Sequence, residues 1–197
     1  MNLFDIARRP ESVTQTFGIL GVRGSGKSNA AAVLVEAFAD RGVPFAVIDP
    51  VGAWWGLRSS SDGKSSGLQV PIFGGLHGDF PLGAGEELAD ILTEEPLSCV
   101  IDVSDLSEGE KKRHLTGFAE RLYRRKGKHP DPLHLVLEEA DDYAPQRPMR
   151  DEARLLRAWE NIVRRGRARG LGITMITQRS ASLNKNLLTQ IETLIVM

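Results

Sequence analysis

Residues 21 to 28 read Gly21-Val22-Arg23-Gly24-Ser25-Gly26-Lys27-Ser28, and they lie between an apolar run, Thr16 to Leu20, and a segment of helical spacing, Ser28 to Asp40. This stretch constrains the fold more than any other, because it fits G-x-x-x-x-G-K-[ST] in a strand-to-helix context. Glycines let backbone N–H groups turn inward around phosphate oxygens with no Cβ in the way, and the helix N-terminus adds positive potential. Lys27 is then placed to reach β and γ phosphates, and Ser28 to ligate Mg²⁺. Gly24, Ser25, Gly26, Lys27, Ser28 and Asn29 form the candidate nucleotide-binding set. Chance produces the pattern about once in a hundred chains of this length. A dinucleotide-binding turn is the rival, but G-x-G-x-x-G lacks its third glycine after Gly24 and Gly26, and it gives Lys27 no role.

Short apolar runs recur at Thr16 to Leu20, Pro44 to Ile48, Leu68 to Phe73, Ser98 to Val103, Leu133 to Leu137, Ile173 to Thr177 and Thr193 to Met197. Most read as strands buried on both faces. Helical patterns alternate with them at Ser28 to Asp40, Gly85 to Thr93, Ser107 to Arg125 and Asp151 to Arg169. The alternation predicts an α/β fold, a mainly parallel sheet flanked by helices. Ser107 and Glu110 form a capping box ahead of the stripe Leu115, Phe118, Ala119 and Leu122. The stripe Leu155, Leu156, Trp159, Ile162 and Val163 should pack along the sheet, its helix stopping before Gly170. With 41% hydrophobic and 26% charged residues, the 197 residues suit one ordered domain over 1–197. Ser59 to Gly67 reads as an exposed polar loop. The apolar run ending at Met197 is expected to mark a fragment, or a strand that a later part of the parent protein covers.

Leu135-Val136-Leu137-Glu138-Glu139 is an apolar strand delivering two carboxylates at its C-terminal end, the edge where open α/β sheets bind ligands. An acidic pair at a strand end is ordinarily a solvated turn, about four times in five. Beside a phosphate loop, Glu138 is instead suited to hold Mg²⁺ through water, and Glu139 to orient an attacking water and accept its proton. Gln178, closing the run Ile173 to Thr177, is placed to sense the γ-phosphate, although alone it is an ordinary surface glutamine. Asn184-Lys185-Asn186-Leu187 lacks the carboxylate that reads guanine, which favours ATP. Asp49 before Pro50 is a further candidate near the site and equally a plain turn signal.

Arg164-Arg165-Gly166-Arg167-Ala168-Arg169 ends the last long helical pattern. Cations there complement a helix C-terminus; an arginine reaching a neighbouring subunit's phosphates fits equally. Contacts to DNA phosphates are the third reading, and they suit Arg121, Arg124, Arg125, Lys126 and Lys128 as well. Lys+Arg 25 against Asp+Glu 26 give no overall basic field, so any nucleic-acid contact is local. Trp54 and Trp55 read as loop residues, buried against a helix or meeting a neighbouring subunit. His77, His114, His129 and His134 lack metal-ligand spacing, and Cys99 lies in an apolar run as a core thiol. No run approaches a membrane span, and Met1 to Arg9 carries Asp5 in its apolar stretch, so the expectation is a cytoplasmic protein without membrane contact.

With these residues in place, the chain resembles the HerA/FtsK superfamily of P-loop ATPases, specifically the central ATPase domain of HerA-like helicases. The resemblance covers nearly the whole chain. It rests on Gly21 to Ser28, Asp49-Pro50-Val51-Gly52, Leu137-Glu138-Glu139-Ala140-Asp141 running to Ala144-Pro145-Gln146, Arg164-Arg165-Gly166-Arg167, and Thr177-Gln178-Arg179. It implies a RecA-like fold, a hexameric ring around duplex DNA, an arginine donated across subunits, and ATP-driven DNA translocation or unwinding. The implied catalytic set is Lys27, Glu139 and Gln178 with Arg167 or Arg164 in trans; Ser28 and Glu138 hold Mg²⁺. Glu138 stands where the family usually has Asp, keeping the charge with a longer reach. The phosphate loop begins too near the N-terminus to leave room for the barrel domain that precedes it in HerA proteins, and the chain stops where the family continues. The alternative is a nucleotide-gated assembly module of slow turnover that organises a partner nuclease or packaging complex; a small-molecule kinase has little use for Glu139.

Overall fold

Strands and helices alternate along the chain in the computed structural model, which describes residues 3–60 and 62–197. The readings that fall on Met1, Asn2 and Ser61 lie outside the described residues. The strands are β1 (Thr16–Leu20), β2 (Phe45–Asp49), β3 (Ile72–Phe73), β4 (Cys99–Asp102), β5 (Leu133–Leu137), β6 (Leu171–Thr177) and β7 (Thr193–Val196). The helices are α1 (Leu3–Ala7), α2 (Lys27–Ala39), α3 (Gly85–Glu94), α4 (Glu108–Lys126), α5 (Ala140–Tyr143), α6 (Ala153–Arg165) and α7 (Lys185–Leu188). The sheet runs β3-β4-β2-β5-β6-β1-β7, and each strand pairs parallel with its neighbours.

Period-two alternation within each strand divides the core into two layers. Ala46, Ile48, Leu135, Leu137, Ile173 and Met175 face α3, α4 and α6, while Phe45, Val47, Val136, Phe17 and Ile19 face α2. Both faces are covered, which is why the central strands read as continuous apolar runs. The capping box forms at the start of α4, where the Glu110 carboxylate accepts the Ser107 backbone N–H at 2.9 Å and its hydroxyl at 2.5 Å. The stripe Leu115, Phe118, Ala119 and Leu122 is fully buried, and that of α6, Leu155, Leu156, Trp159, Ile162 and Val163, is buried. After Gly166 the chain tightens into a 3-10 turn, Arg167–Arg169, which Gly170 ends at φ 74°.

One expectation needs correction. Only Ile72 and Phe73 of the run from Leu68 join the sheet. Pro71 brings no N–H to a ladder, and the N–H groups of Gly67 and Leu68 donate back to Arg58 and Leu57. β7 is a half-exposed edge with Leu194 and Val196 outward, unlike the doubly buried central strands. The short helices α1, α5 and α7 carried no periodic signal, because four or five residues complete barely one turn.

His134 anchors the end of the sheet where the strands begin. It is fully buried, its Nδ1–H donates to the Val13 carbonyl at 2.8 Å, and the Thr174 hydroxyl donates to its Nε2 at 2.8 Å. Burial holds its pKa down from 6.5 to about 4. The unfolded chain therefore takes up this proton first, and stability contributed by the neutral ring is complete above pH 6.5 and lost as pH falls toward 4. Urea unfolding should show a loss of roughly 3 kcal/mol from this group across that window, taking 1.36 kcal/mol per pKa unit. His134→Gln, which takes up no proton there, should show a shallower acid dependence.

Candidate active site

Parallel register brings three loops to one edge. β6 lies between β1 and β5, with Leu20 paired to Thr177 and Leu137 to Met175. The segments that follow β1, β5 and β6, carrying Gly21–Ser28, Glu138–Glu139 and Gln178, therefore emerge side by side. The phosphate loop turns through Gly24 and Gly26, at φ 77° and 95°, conformations that a side chain strains. Its backbone leads into the N-terminus of α2. Lys27 Nζ donates to the Val22 carbonyl at 2.9 Å, across the loop's own curve. Ser25 Oγ is buried in the loop with no hydrogen-bond partner among the described residues. A helix N-terminus, an unpartnered buried hydroxyl and an adjacent ammonium fit a bound phosphate.

Ser28 Oγ donates to Glu138 Oε1 at 2.5 Å. Glu138 is buried, and its other oxygen accepts the indole N–H of Trp54. A hydroxyl and a carboxylate oxygen meeting beside a phosphate loop are the hard donors that Mg²⁺ takes. The next residue, Glu139, holds φ 48° and ψ 48°, left-handed backbone without being glycine. Strain of this kind stands at about 1–3 kcal/mol and gathers at functional sites. Gln178 Nε2 donates to Glu139 Oε1 at 2.8 Å. Burial raises the Glu139 pKa above the ordinary carboxylate value; the Gln178 bond opposes this, and the charges of Asp141, Glu138 and Asp142 add to it. Asp141 accepts the Thr177 hydroxyl, which in turn accepts the Arg179 N–H at 2.9 Å, tying the start of α5 to the end of β6.

Asp49 sits in the next strand but faces its own turn. Its Oδ1 accepts the N–H groups of Val51 at 3.0 Å and Gly52 at 2.8 Å, and its Oδ2 accepts that of Trp54 at 2.7 Å. Burial raises its pKa although all three donors pull it down. The turn reading of Asp49-Pro50 is the one the geometry favours. Asn29 is exposed on the first turn of α2.

The arginine cluster lies at the opposite edge. Arg164 and Arg167 border a cavity of about 320 Å³ with Thr16, Leu171 and Glu192, where β1, β6 and β7 begin, and Arg167 pairs with Glu192 at 3.3 Å. Within one chain neither is brought to the phosphate loop. Arg169 is taken up by Tyr123, stacking 3.9 Å from its ring centre and donating to its carbonyl. The cations proposed on α4 are partly engaged: Arg121 and Arg125 pair with Asp90, and buried Lys126 donates to the Asp131 carbonyl. Trp54 is the contact that sequence reading missed. Its only signal was a tryptophan five residues after an Asp-Pro turn.

A parallel sheet with a phosphate loop after β1, an acid pair after β5 and a polar strand end between them defines a RecA-like P-loop NTPase. A family model described as the central domain of the helicase HerA matches residues 8–190, and the chain belongs to that family. The DNA double-strand break repair helicase HerA of Pyrococcus furiosus is 35% identical over 66 residues, a match covering 34% of this chain and 11% of the relative. Among solved structures, the genome packaging NTPase B204 from Sulfolobus turreted icosahedral virus 2 in complex with AMPPCP aligns with a TM-score of 0.61 at 14% identity, covering 94% of this chain and 76% of that one. B204, the DNA-packaging ATPase from Sulfolobus Turreted Icosahedral Virus, aligns with a TM-score of 0.57 at 17% identity, covering 93% and 75%. At these identities the likeness is one of fold.

Asp49→Ala should destabilise the protein by about 3 kcal/mol, roughly 1 kcal/mol for each N–H left unpaired. Chemical denaturation against the parent protein measures it.

Proposed function

We propose that residues 1–197 work as a single Mg-dependent ATP-binding and hydrolysing unit, the motor domain of a HerA-like DNA translocase or helicase. The observation that carries this reading is the pair of contacts at the sheet edge, Ser28 to Glu138 at 2.5 Å and Gln178 to Glu139 at 2.8 Å, beside Lys27. Lys27 and the amides of Gly24, Ser25, Gly26 and Ser28 hold the phosphates, with Asn29 at the rim. Ser28 and Glu138 hold Mg²⁺, which when bound neutralises charge on the β and γ phosphates. Glu139 accepts the proton of the attacking water, and Gln178, hydrogen-bonded to it, aligns that water. The raised pKa of Glu139 suits a group that must take up a proton.

Arg164 and Arg167 act across a subunit boundary. Their exposure, and their place at the edge away from their own phosphate loop, support a role in trans within a ring, a hexamer by family resemblance. Duplex DNA as the partner is supported by the family and by what the P. furiosus and viral relatives are named for. No helix among the described residues is long and apolar enough to cross a membrane, in keeping with a cytoplasmic setting.

Steady-state ATP hydrolysis, with and without long duplex DNA and over a range of protein concentrations, tests the reading. Stimulation by DNA that rises cooperatively with protein concentration is the expected result. Glu139→Ala should lower turnover by about a hundredfold or more while nucleotide still binds. Unchanged hydrolysis in that variant would remove Glu139 from its role. A slow rate indifferent to DNA and concentration would favour the nucleotide-gated assembly module, which holds a partner nuclease or packaging protein.

A further inference from the structure

The residue between the Asp49 turn and the acid pair is Trp54. Its side chain is buried, and its indole N–H donates to the Glu138 oxygen that Ser28 leaves free. The indole is also held by packing, since Trp54 lies in one apolar cluster with Leu34, Leu57, Val70 and Ile72. The Trp54 backbone N–H is fixed on Asp49 Oδ2 at 2.7 Å, and the turn before it is fixed on Asp49 Oδ1. The 3-10 turn Trp54–Arg58 that follows is secured at its far end, where Arg58 donates to the Val70 carbonyl and pairs with Asp79. The donor is therefore held by contacts other than its bond to Glu138.

Glutamate at 138 has one more side-chain torsion than aspartate, so its carboxylate samples more positions unless something selects one. An indole N–H on Oε2 selects the rotamer in which Oε1 meets Ser28. We propose that Trp54 is a positioning residue for the metal-holding carboxylate, with the buried Asp49 as its support. Asp49, Trp54, Glu138 and Ser28 form one hydrogen-bonded series from the end of β2 to the phosphate loop. Partners of this outer kind shift metal affinity by about 10–100-fold when removed. The inference rests on the assignment of Ser28 and Glu138 to Mg²⁺ under the proposed function. A tryptophan that only filled the core would affect stability and leave the metal requirement alone.

The test titrates a non-hydrolysable ATP analogue at a series of Mg²⁺ concentrations. It uses the full chain, Trp54→Phe, Glu138→Gln and the double variant. Trp54→Phe should raise the Mg²⁺ concentration for half-maximal binding by about tenfold. Affinity in excess EDTA should stay as in the parent, and the substitution should have no further effect in the Glu138→Gln background. An unchanged Mg²⁺ requirement, or an equal rise in that background, overturns the proposal alone. A parent protein that binds no analogue with Mg²⁺ overturns the nucleotide-site reading, and the proposal with it. If Trp54→Phe does not fold, the Trp55→Phe protein supplies the second measurement. Adding Mg²⁺ to its analogue complex should shift tryptophan emission, since the indole's acceptor takes up the cation. Unmoved emission overturns the proposal.

Discussion

The hydrogen bond from Ser28 to Glu138 joins residues 110 positions apart, and the site takes its form from that closure. Neither residue is special alone: a serine opening a helix and a glutamate ending a strand are ordinary surface features. They meet because β6 is inserted between β1 and β5 in parallel register, which sets the phosphate loop and the acid pair at one edge with a strand's width between them. That strand's own end supplies Gln178. The sheet order is thus what converts three separate loops into one constellation, and a one-strand change in order would scatter it.

Around this closure the protein accumulates features unfavourable to folding. Glu138, Glu139, Asp141 and Asp142 crowd the end of β5, and burial and mutual repulsion raise the pKa values of Glu139 and Asp142. Glu139 adds left-handed backbone. The compensation is local and polar: Ser28 and Trp54 on Glu138, Gln178 on Glu139, Thr177 on Asp141. The apolar layers on either side are conventional in comparison. Cys99, whose thiol burial pushes up to about 12, is part of them.

The parts of this arrangement legible in the sequence were those governed by local chemistry. Gly21–Ser28 fixes its own backbone shape, the long helices α4 and α6 carry apolar stripes, and a doubly buried strand such as β5 announces itself as Leu133 to Leu137. Glu138, Glu139 and Gln178 could be placed because each ends such a strand. What escaped depends on pairing at a distance. Leu68 to Phe73 has strand composition, yet Pro71 and the bonds from Gly67 and Leu68 to the 57–58 turn leave two residues in the sheet. Trp54 reads as a loop aromatic until the fold carries it onto Glu138. The arginines of the α6 end are visible as a cluster, but their side of the sheet follows only from the α6-to-β6 connection, which returns them to the edge where the strands start.

Ser28 and Glu138 together are proposed as the cation end of a nucleotide site. A crystal structure with Mg²⁺ and AMPPCP decides whether they are. The metal is expected about 2.1 Å from Ser28 Oγ, with Glu138 reaching it directly or through one water, and the analogue's phosphates in the Gly21–Ser28 loop. Metal bound elsewhere, with Ser28 and Glu138 still hydrogen-bonded to each other, would contradict it.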